Sequence, residues 1–239
     1  MIVRNDNIVE ATINDLPDYQ LLYDDVFGLT KVNLKAWFKS DAGVALIGTS
    51  SDVSSWTSQF GTPTIVANAG VGETDWEVGT NLNGYPSLRQ PAAAFKTLSF
   101  SSTPAISYGY TIFAVLVTPA EPLAEYILKS GESGMCGFNL RPDLGGTGAF
   151  LFDGDSLIAG SGVNTTSPQY IMWQSGPQGT NLRQNGSQVL TNGTAKNVSP
   201  DGIMSRESAQ VWEILIYGDV KSNTDIVNIE NYLKTKYGF

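Results

Sequence analysis

Val211–Phe239 reads VWEILIYGDVKSNTDIVNIENYLKTKYGF, and the rest of the chain is understood from it. Trp212, Ile214 and Ile216 alternate with Val211, Glu213, Leu215 and Tyr217. That period of two predicts a strand with each set on its own face. Gly218 and Asp219 break the run, and Ser222 is a good N-cap with Asp225 placed to complete a capping box. Ile226, Ile229 and Leu233 then fall on one helical stripe, so a short amphipathic helix is expected, ending near Gly238.

Working back from this end, short apolar runs bounded by Gly, Pro, Ser or Asn recur along the chain. They are Leu34 to Phe38, Val53 to Trp56, Ala93 to Phe100, Tyr110 to Val117, Tyr126 to Lys129, Cys136 to Leu140, Ala149 to Phe152 and Tyr170 to Trp173. Tyr110 to Val117 is apolar on both faces, as a central strand covered on both sides would be. Leu182 to Gln184 and Ser187 to Leu190 flank Asn185-Gly186, a pair suited to the positive φ angles of a type I′ hairpin. Strands at this spacing predict an all-β sandwich of two antiparallel sheets with a short C-terminal helix.

Composition narrows the function. The chain has 239 residues, 15% of them charged and 41% hydrophobic, which suits one large turn-rich domain. A net charge of −9 with no basic run disfavours nucleic acid and anionic lipid as partners. Cys136 is the single cysteine, so no internal disulfide framework exists. The sequence has no histidine, which removes Ser-His-Asp and Cys-His nucleophile systems and the usual zinc sites. No stretch approaches the length of a membrane span, and Met1 to Glu10 carries no apolar signal core, so cytoplasmic synthesis without export is expected.

The order of these runs resembles the concanavalin A-like, laminin G-like jelly-roll domains of bacteriophage structural proteins and bacterial surface proteins. The likeness covers roughly Leu34 to Phe239 and rests on Leu34-Lys35-Ala36-Trp37-Phe38, Val53-Ser54-Ser55-Trp56, Asn83-Gly84-Tyr85-Pro86-Ser87-Leu88-Arg89, Tyr110 to Val117, the Asn185-Gly186 hairpin and the strand-turn-helix ending. Gln90-Pro91-Ala92 departs from the family pattern, which continues there with an aromatic and an Asp-Gly turn. The resemblance implies a two-sheet jelly-roll over 29–239 and a non-enzymatic virion protein acting in structure or attachment, assembled in a host cytoplasm as part of an oligomer. Residues 1–28 fall outside the likeness and carry Ile2, Val3, Ile8, Val9, Leu21, Leu22 and Phe27. We read them as an arm that docks on other virion subunits.

Three sets of residues are candidates for chemistry or binding. Glu73-Thr74-Asp75-Trp76-Glu77 is similar in spacing to the catalytic strand of laminarinase- and lichenase-type glucanases. That likeness implies Glu73 as nucleophile, Glu77 as acid/base and Asp75 as the residue tuning Glu73. Thr74 replaces the aliphatic residue preferred there, and the Gly-rich surroundings read as a loop, so the expectation is no catalysis, with the glycoside hydrolase as the alternative. Asp153-Gly154-Asp155 offers oxygens of the kind calcium takes, although two acids are too few to specify a site and no cofactor is expected. Trp56, Trp76, Tyr85 and Trp173 lie near loops or strand ends, where aromatic faces beside Asn, Gln and Asp hold neutral sugars. A cell-surface glycan is the expected ligand, and a free-standing carbohydrate-binding module is the rival reading. Trp37 and Trp212 read as core.

Overall fold

Short strands cannot satisfy their own backbone donors and acceptors, so runs like these must pair with one another. The computed structural model shows the pairing over residues 29–61, 64–69, 76–90, 96–106, 109–117, 125–126, 128–130, 137–140, 149–152, 157–159, 167–195, 198–205 and 209–239. The arm (1–28), Cys136, Glu73, Asp75, Asp153 and Asp155 lie outside the described residues.

In chain order the strands begin with β1 (Leu34–Lys39), β2 (Val44–Leu46), β3 (Val53–Thr57), β4 (Val66–Ala69), β5 (Glu77–Leu82) and β6 (Tyr85–Arg89). There follow β7 (Lys96–Phe100), β8 (Tyr110–Val117), β9 (Glu125–Tyr126), β10 (Leu128–Ser130), β11 (Gly137–Leu140) and β12 (Ala149–Phe152). The last are β13 (Leu157–Ala159), β14 (Gln169–Gly176), β15 (Gly179–Gln184), β16 (Ser187–Asn192), β17 (Pro200–Ser205) and β18 (Gln210–Tyr217), before helix α1 (Asn223–Tyr237).

An 8-stranded sheet runs β16-β15-β14-β8-β18-β6-β5, with β1 also paired to β18. A 6-stranded sheet runs β10-β17-β7-β4-β3-β2, and a smaller sheet of 4 strands runs β13-β12-β11-β9. The strand pairings are antiparallel, as expected for a jelly-roll sandwich.

Two hydrophobic layers result. Ala36, Phe38, Trp56, Leu98, Ile112, Ala114, Leu116, Trp173 and Ile203 fill the space between the two large sheets. Trp37, Phe113, Val115, Met172, Leu215, Ile226, Ile229 and Leu233 fill the space between the far face of the 8-stranded sheet and α1. Strand β8 is therefore covered on both sides, which is why its sequence is apolar throughout.

The hairpins form where the turn chemistry allows. Asn185 and Gly186 take φ of 48° and 84°, as a type I′ turn requires, and Asn83 and Gly84 do the same at 52° and 88° between β5 and β6. Helix α1 starts at the Ser222 cap, whose Oγ accepts from the Asp225 N–H at 3.1 Å and donates to Asp225 Oδ2 at 2.7 Å. It stops at Gly238, whose φ of 77° is a left-handed cap and whose N–H donates to Lys234 O.

The alternation expected in β18 is interrupted. A register shift between Val211 and Glu213 marks a bulge in the pairing with β8. Val211, Ile214 and Ile216 face the six-stranded sheet, while Trp212, Leu215 and Tyr217 face the helix. Trp212 thus lies on the face opposite Ile214 and Ile216, not beside them. The bulge falls where the neighbour of β18 changes from β6, paired at Gln210 and Val211, to β1, paired from Glu213 onward. Trp212 O at this point accepts from Ser40 N–H at 2.9 Å. Pro200 opens β17, the one place in a strand where a missing N–H is harmless, and that strand has no alternation to announce it.

Candidate functional site

The aromatic residues expected to form a ligand platform are divided between the two layers, and the three tryptophans are in the core. Trp56, Trp76 and Trp173 are buried between the two large sheets, each no more than 1% exposed. Trp56 Nε1 donates to Lys39 O at 2.8 Å. Removing about 200 Å² of indole from water is worth about 5 kcal/mol, so a ring that reaches the core from a strand end stays there. Tyr85 lies in the other layer, half-buried against Tyr237 with ring centroids 5.4 Å apart, and its face receives the Lys236 ammonium at 4.7 Å. Trp37 and Trp212 are core residues, packed with the helix.

Glu77 sits in a strand, not in a loop: it opens β5 and pairs across the hairpin with Arg89, whose Nε donates to Glu77 Oε1 at 2.6 Å. Glu73 and Asp75, its expected catalytic companions, lie outside the described residues, as do Asp153 and Asp155. Among the described residues no three acidic, histidine or cysteine side chains cluster as a metal site would need.

A cleft of about 600 Å³ opens elsewhere, at the end of the sandwich where the chain enters β1. Three segments make it. The first is the turn before β1, closed by the Leu34 N–H donating to Lys31 O at 3.1 Å and made possible by Asn33 at a φ of 57°, a conformation that asparagine tolerates. The second is 59–61, held to β1 by the Gln59 N–H donating to Trp37 O at 2.7 Å. The third is 102–105, anchored just before it by Ser101, whose Oγ accepts from Val66 N–H at 3.0 Å and whose N–H donates to Val66 O at 2.8 Å.

Lys31, Asn33, Lys35, Gln59, Ser102 and Thr103 supply the polar lining, and Leu34, Phe60, Ile65 and Pro104 the apolar part. Clefts of this size and mixture are the ordinary form of small-ligand sites. The nearby acid is already used: Asp219 accepts from Asn33 Nδ2 at 3.0 Å and pairs with Lys221 at 3.0 Å. No carboxylate of the described residues lies within ion-pair distance of Lys31 or Lys35. The stem of Lys35 lies across Gly218, where an added Cβ would come 2.5 Å from Lys35 Cε. The turn between β18 and α1 therefore seats this side chain.

None of the cleft residues was singled out from the sequence as a binding residue. The available signal was two lysines four apart, Lys31 and Lys35, in a chain with 14 basic and 23 acidic residues.

A second polar cluster is sealed and serves the fold. Glu213 follows the bulge and lies on the helix face with Leu215 and Tyr217, where it is fully buried. Glu213 Oε1 accepts from Trp37 Nε1 at 2.6 Å and from the Tyr232 hydroxyl at 2.9 Å, and Oε2 accepts from Lys236 Nζ at 2.8 Å and the Tyr237 hydroxyl at 2.7 Å. Burial alone would lower the Lys236 pKa, but Glu213 and Asp41 together outweigh it and hold the ammonium above its ordinary value. Burial first, then Glu213, pushes the Tyr237 hydroxyl well above 10. A substrate has no path to a carboxylate that is fully enclosed and has both oxygens bonded. Glu230 makes a second tether: both its oxygens accept from Arg183, at 2.8 and 3.1 Å, and this hydrogen bond raises the Arg183 pKa. Both tethers lock α1 onto the far face of the 8-stranded sheet.

No protein-family model matches the sequence, and no curated protein matches it. Solved structures are similar in fold. A sialidase of Trypanosoma rangeli superposes with a TM-score of 0.58 at 9% identity, over 86% of this chain and 34% of the sialidase. The binding domain of Botulinum Neurotoxin DC, solved in complex with SialylT, gives a TM-score of 0.57 at 9% identity, over 85% of this chain and 52% of that domain. The Emp46p carbohydrate recognition domain is also found, with a TM-score of 0.41 at 16% identity over 63% of this chain and 92% of that one. The chain spans about a third of the sialidase it matches. At such identities the likeness shows a shared β-sandwich and nothing finer.

Proposed function

We propose that this chain is a non-enzymatic carbohydrate-binding β-sandwich acting in attachment. The observation that carries the reading is the cleft before β1, where amide, hydroxyl and ammonium groups stand beside Phe60 and Pro104 in a volume of about 600 Å³, suited to one or two sugar rings. Hydroxyl-rich ligands need this pairing of hydrogen-bond partners with an apolar wall. The fold analogy is in keeping with it, since the neurotoxin binding domain was solved with SialylT and the sialidase with sialic acid. Absence of histidine in the sequence and the engagement of Glu77 with Arg89 support a binding role over hydrolysis.

The setting we propose is a bacteriophage virion assembled in its host's cytoplasm. Residues 1–28 would join neighbouring subunits and the sandwich would face outward to a host-surface glycan. This part rests on the resemblance in sequence order and on the apolar residues of 1–28.

Binding of the purified chain to an immobilised panel of neutral and acidic glycans tests the reading, with reducing-end release followed on the same ligands and on β-glucans between pH 4 and 8. The expected result is retention of at least one glycan class without turnover. Failure to retain any glycan removes the binding reading. Turnover lost in both Glu73→Gln and Glu77→Gln would replace it with the hydrolase.

A further inference from the structure

We infer that the cleft before β1 takes a carboxylate-bearing sugar, with Lys31 and Lys35 as the groups that select the charge. This rests on the carbohydrate-binding reading and specifies its ligand.

The inference starts from an imbalance. The chain carries 23 acidic and 14 basic residues, so a cleft assembled at random on it would be expected to be acidic. Among the described residues this cleft instead has Lys31 and Lys35 in its lining and no Asp or Glu. Asp219, bonded to the lining residue Asn33, pairs with Lys221 and with neither cleft lysine. Two well-buried lysines have carboxylate partners instead: Lys221 pairs with Asp219, and Lys236 pairs with Glu213 and Asp41. Two half-buried lysines that line one cleft bring like charge to it, and an anion bound there gains charge-assisted hydrogen bonds.

The rest of the lining fits a sugar better than a bare anion. Ser102, Thr103 and Gln59 supply hydroxyl and amide groups for ring hydroxyls, and Phe60 with Pro104 supplies the apolar wall that an inorganic ion would not need. The Gln59 NH₂ is held by donation to Thr57 O at 2.8 Å, which fixes that side chain before any ligand arrives. Gly218 gives Lys35 its place: any side chain there would meet Lys35 Cε and Cγ. Gly218 is therefore a positioning residue.

The test uses the full chain and calorimetric titration with matched probes. 3′-Sialyllactose and lactose differ by one carboxylated sugar, and digalacturonic acid adds a uronic acid of different ring shape. The acidic probes are expected to bind about tenfold or more tighter than lactose, the scale of one charge-assisted hydrogen bond, with the difference shrinking as salt is raised. Lys31→Gln and Lys35→Gln should each remove most of that preference, weakening the acidic probes by a larger factor than lactose, with the melting temperature unchanged. Lys35→Arg should retain it. Gly218→Ala, which moves Lys35 without changing charge, should weaken the acidic probes alone. Preference for sialyllactose over digalacturonic acid, or the reverse, identifies the acid within the class.

Equal affinity for acidic and neutral probes, or a preference that survives both lysine substitutions, overturns the inference and leaves the carbohydrate-binding reading standing. Displacement of the acidic probes by citrate at equal concentration also overturns it, since that would mark a general anion site. Absence of binding by every sugar tested removes both readings together.

Discussion

Replacing Glu213 by Gln removes one charge from the centre of the helix–sheet interface and changes little else in shape. In the native protein the carboxylate takes four donors, from Trp37, Tyr232, Lys236 and Tyr237. A glutamine oxygen can still accept from Trp37 and Tyr232. Its NH₂ group must then face the Lys236 ammonium, donor against donor, while the Tyr237 hydroxyl has to turn and accept. Lys236 is left with Asp41 at 3.4 Å as its charge partner, while remaining buried. Removing one member of a buried ion pair costs about 3–5 kcal/mol. In a domain of this length each kcal/mol lowers the melting temperature by about 2–4 °C, so a fall of about 6–20 °C is expected. Glu213→Leu combined with Lys236→Met removes both charges and should recover part of the loss. Recovery is incomplete because Trp37 Nε1 and the Tyr232 hydroxyl lose their acceptor. Thermal and urea unfolding followed by tryptophan fluorescence measures each variant, and the double-mutant cycle isolates the pair. A shift below about 2 °C in Glu213→Gln, or a double variant no more stable than the weaker single, would refute the claim that this carboxylate holds the helix.

Two further outcomes follow from the same interface. Ile229→Asp places an unpaired charge in a fully buried position between α1 and the sheet, and should cost several kcal/mol by urea denaturation; unchanged stability would mean that the helix is not docked. Alkaline pH should weaken the fold, because Lys236 and Tyr237 hold their protons to higher pH in the folded state than their ordinary values of 10.5 and 10.0. The folded state then binds more protons than the unfolded one, so this contribution is complete below about pH 10 and is lost above it. A melting temperature flat from pH 8 to 11 would contradict this.

The local pattern of the sequence was enough to identify many of the strands and the Asn185-Gly186 turn, though not β2, β4, β13 or β17. Tyr110 to Val117 has no polar face, so only a strand covered on both sides accommodates it, and β8 spans the same residues. Asn185-Gly186 and Ser222 act through their own backbones within a few residues, which is why the hairpin and the helix start were legible. The Ile226, Ile229 and Leu233 stripe likewise announced the buried face of α1. What the alternation could not contain was the bulge at Trp212, because it arises where β18 exchanges one neighbour, β6, for another, β1. That change of phase moves Val211 and Trp212, while Glu213 keeps the face that alternation assigns it with Leu215 and Tyr217; a glutamate there gives no sign of being enclosed by donors from a helix still to come. The tryptophans misled for a related reason: whether an indole at a strand end faces solvent or core depends on which sheet covers it, and Trp56, Trp76 and Trp173 are covered. The cleft is the extreme case, since Lys31, Lys35, Phe60 and Ser102 belong to segments with no common pattern. Sequence periodicity encodes which face of an element is buried, whereas which side chains of 31–35, 59–61 and 102–105 share a cleft depends on how distant strands pair, and only the tertiary structure decides that.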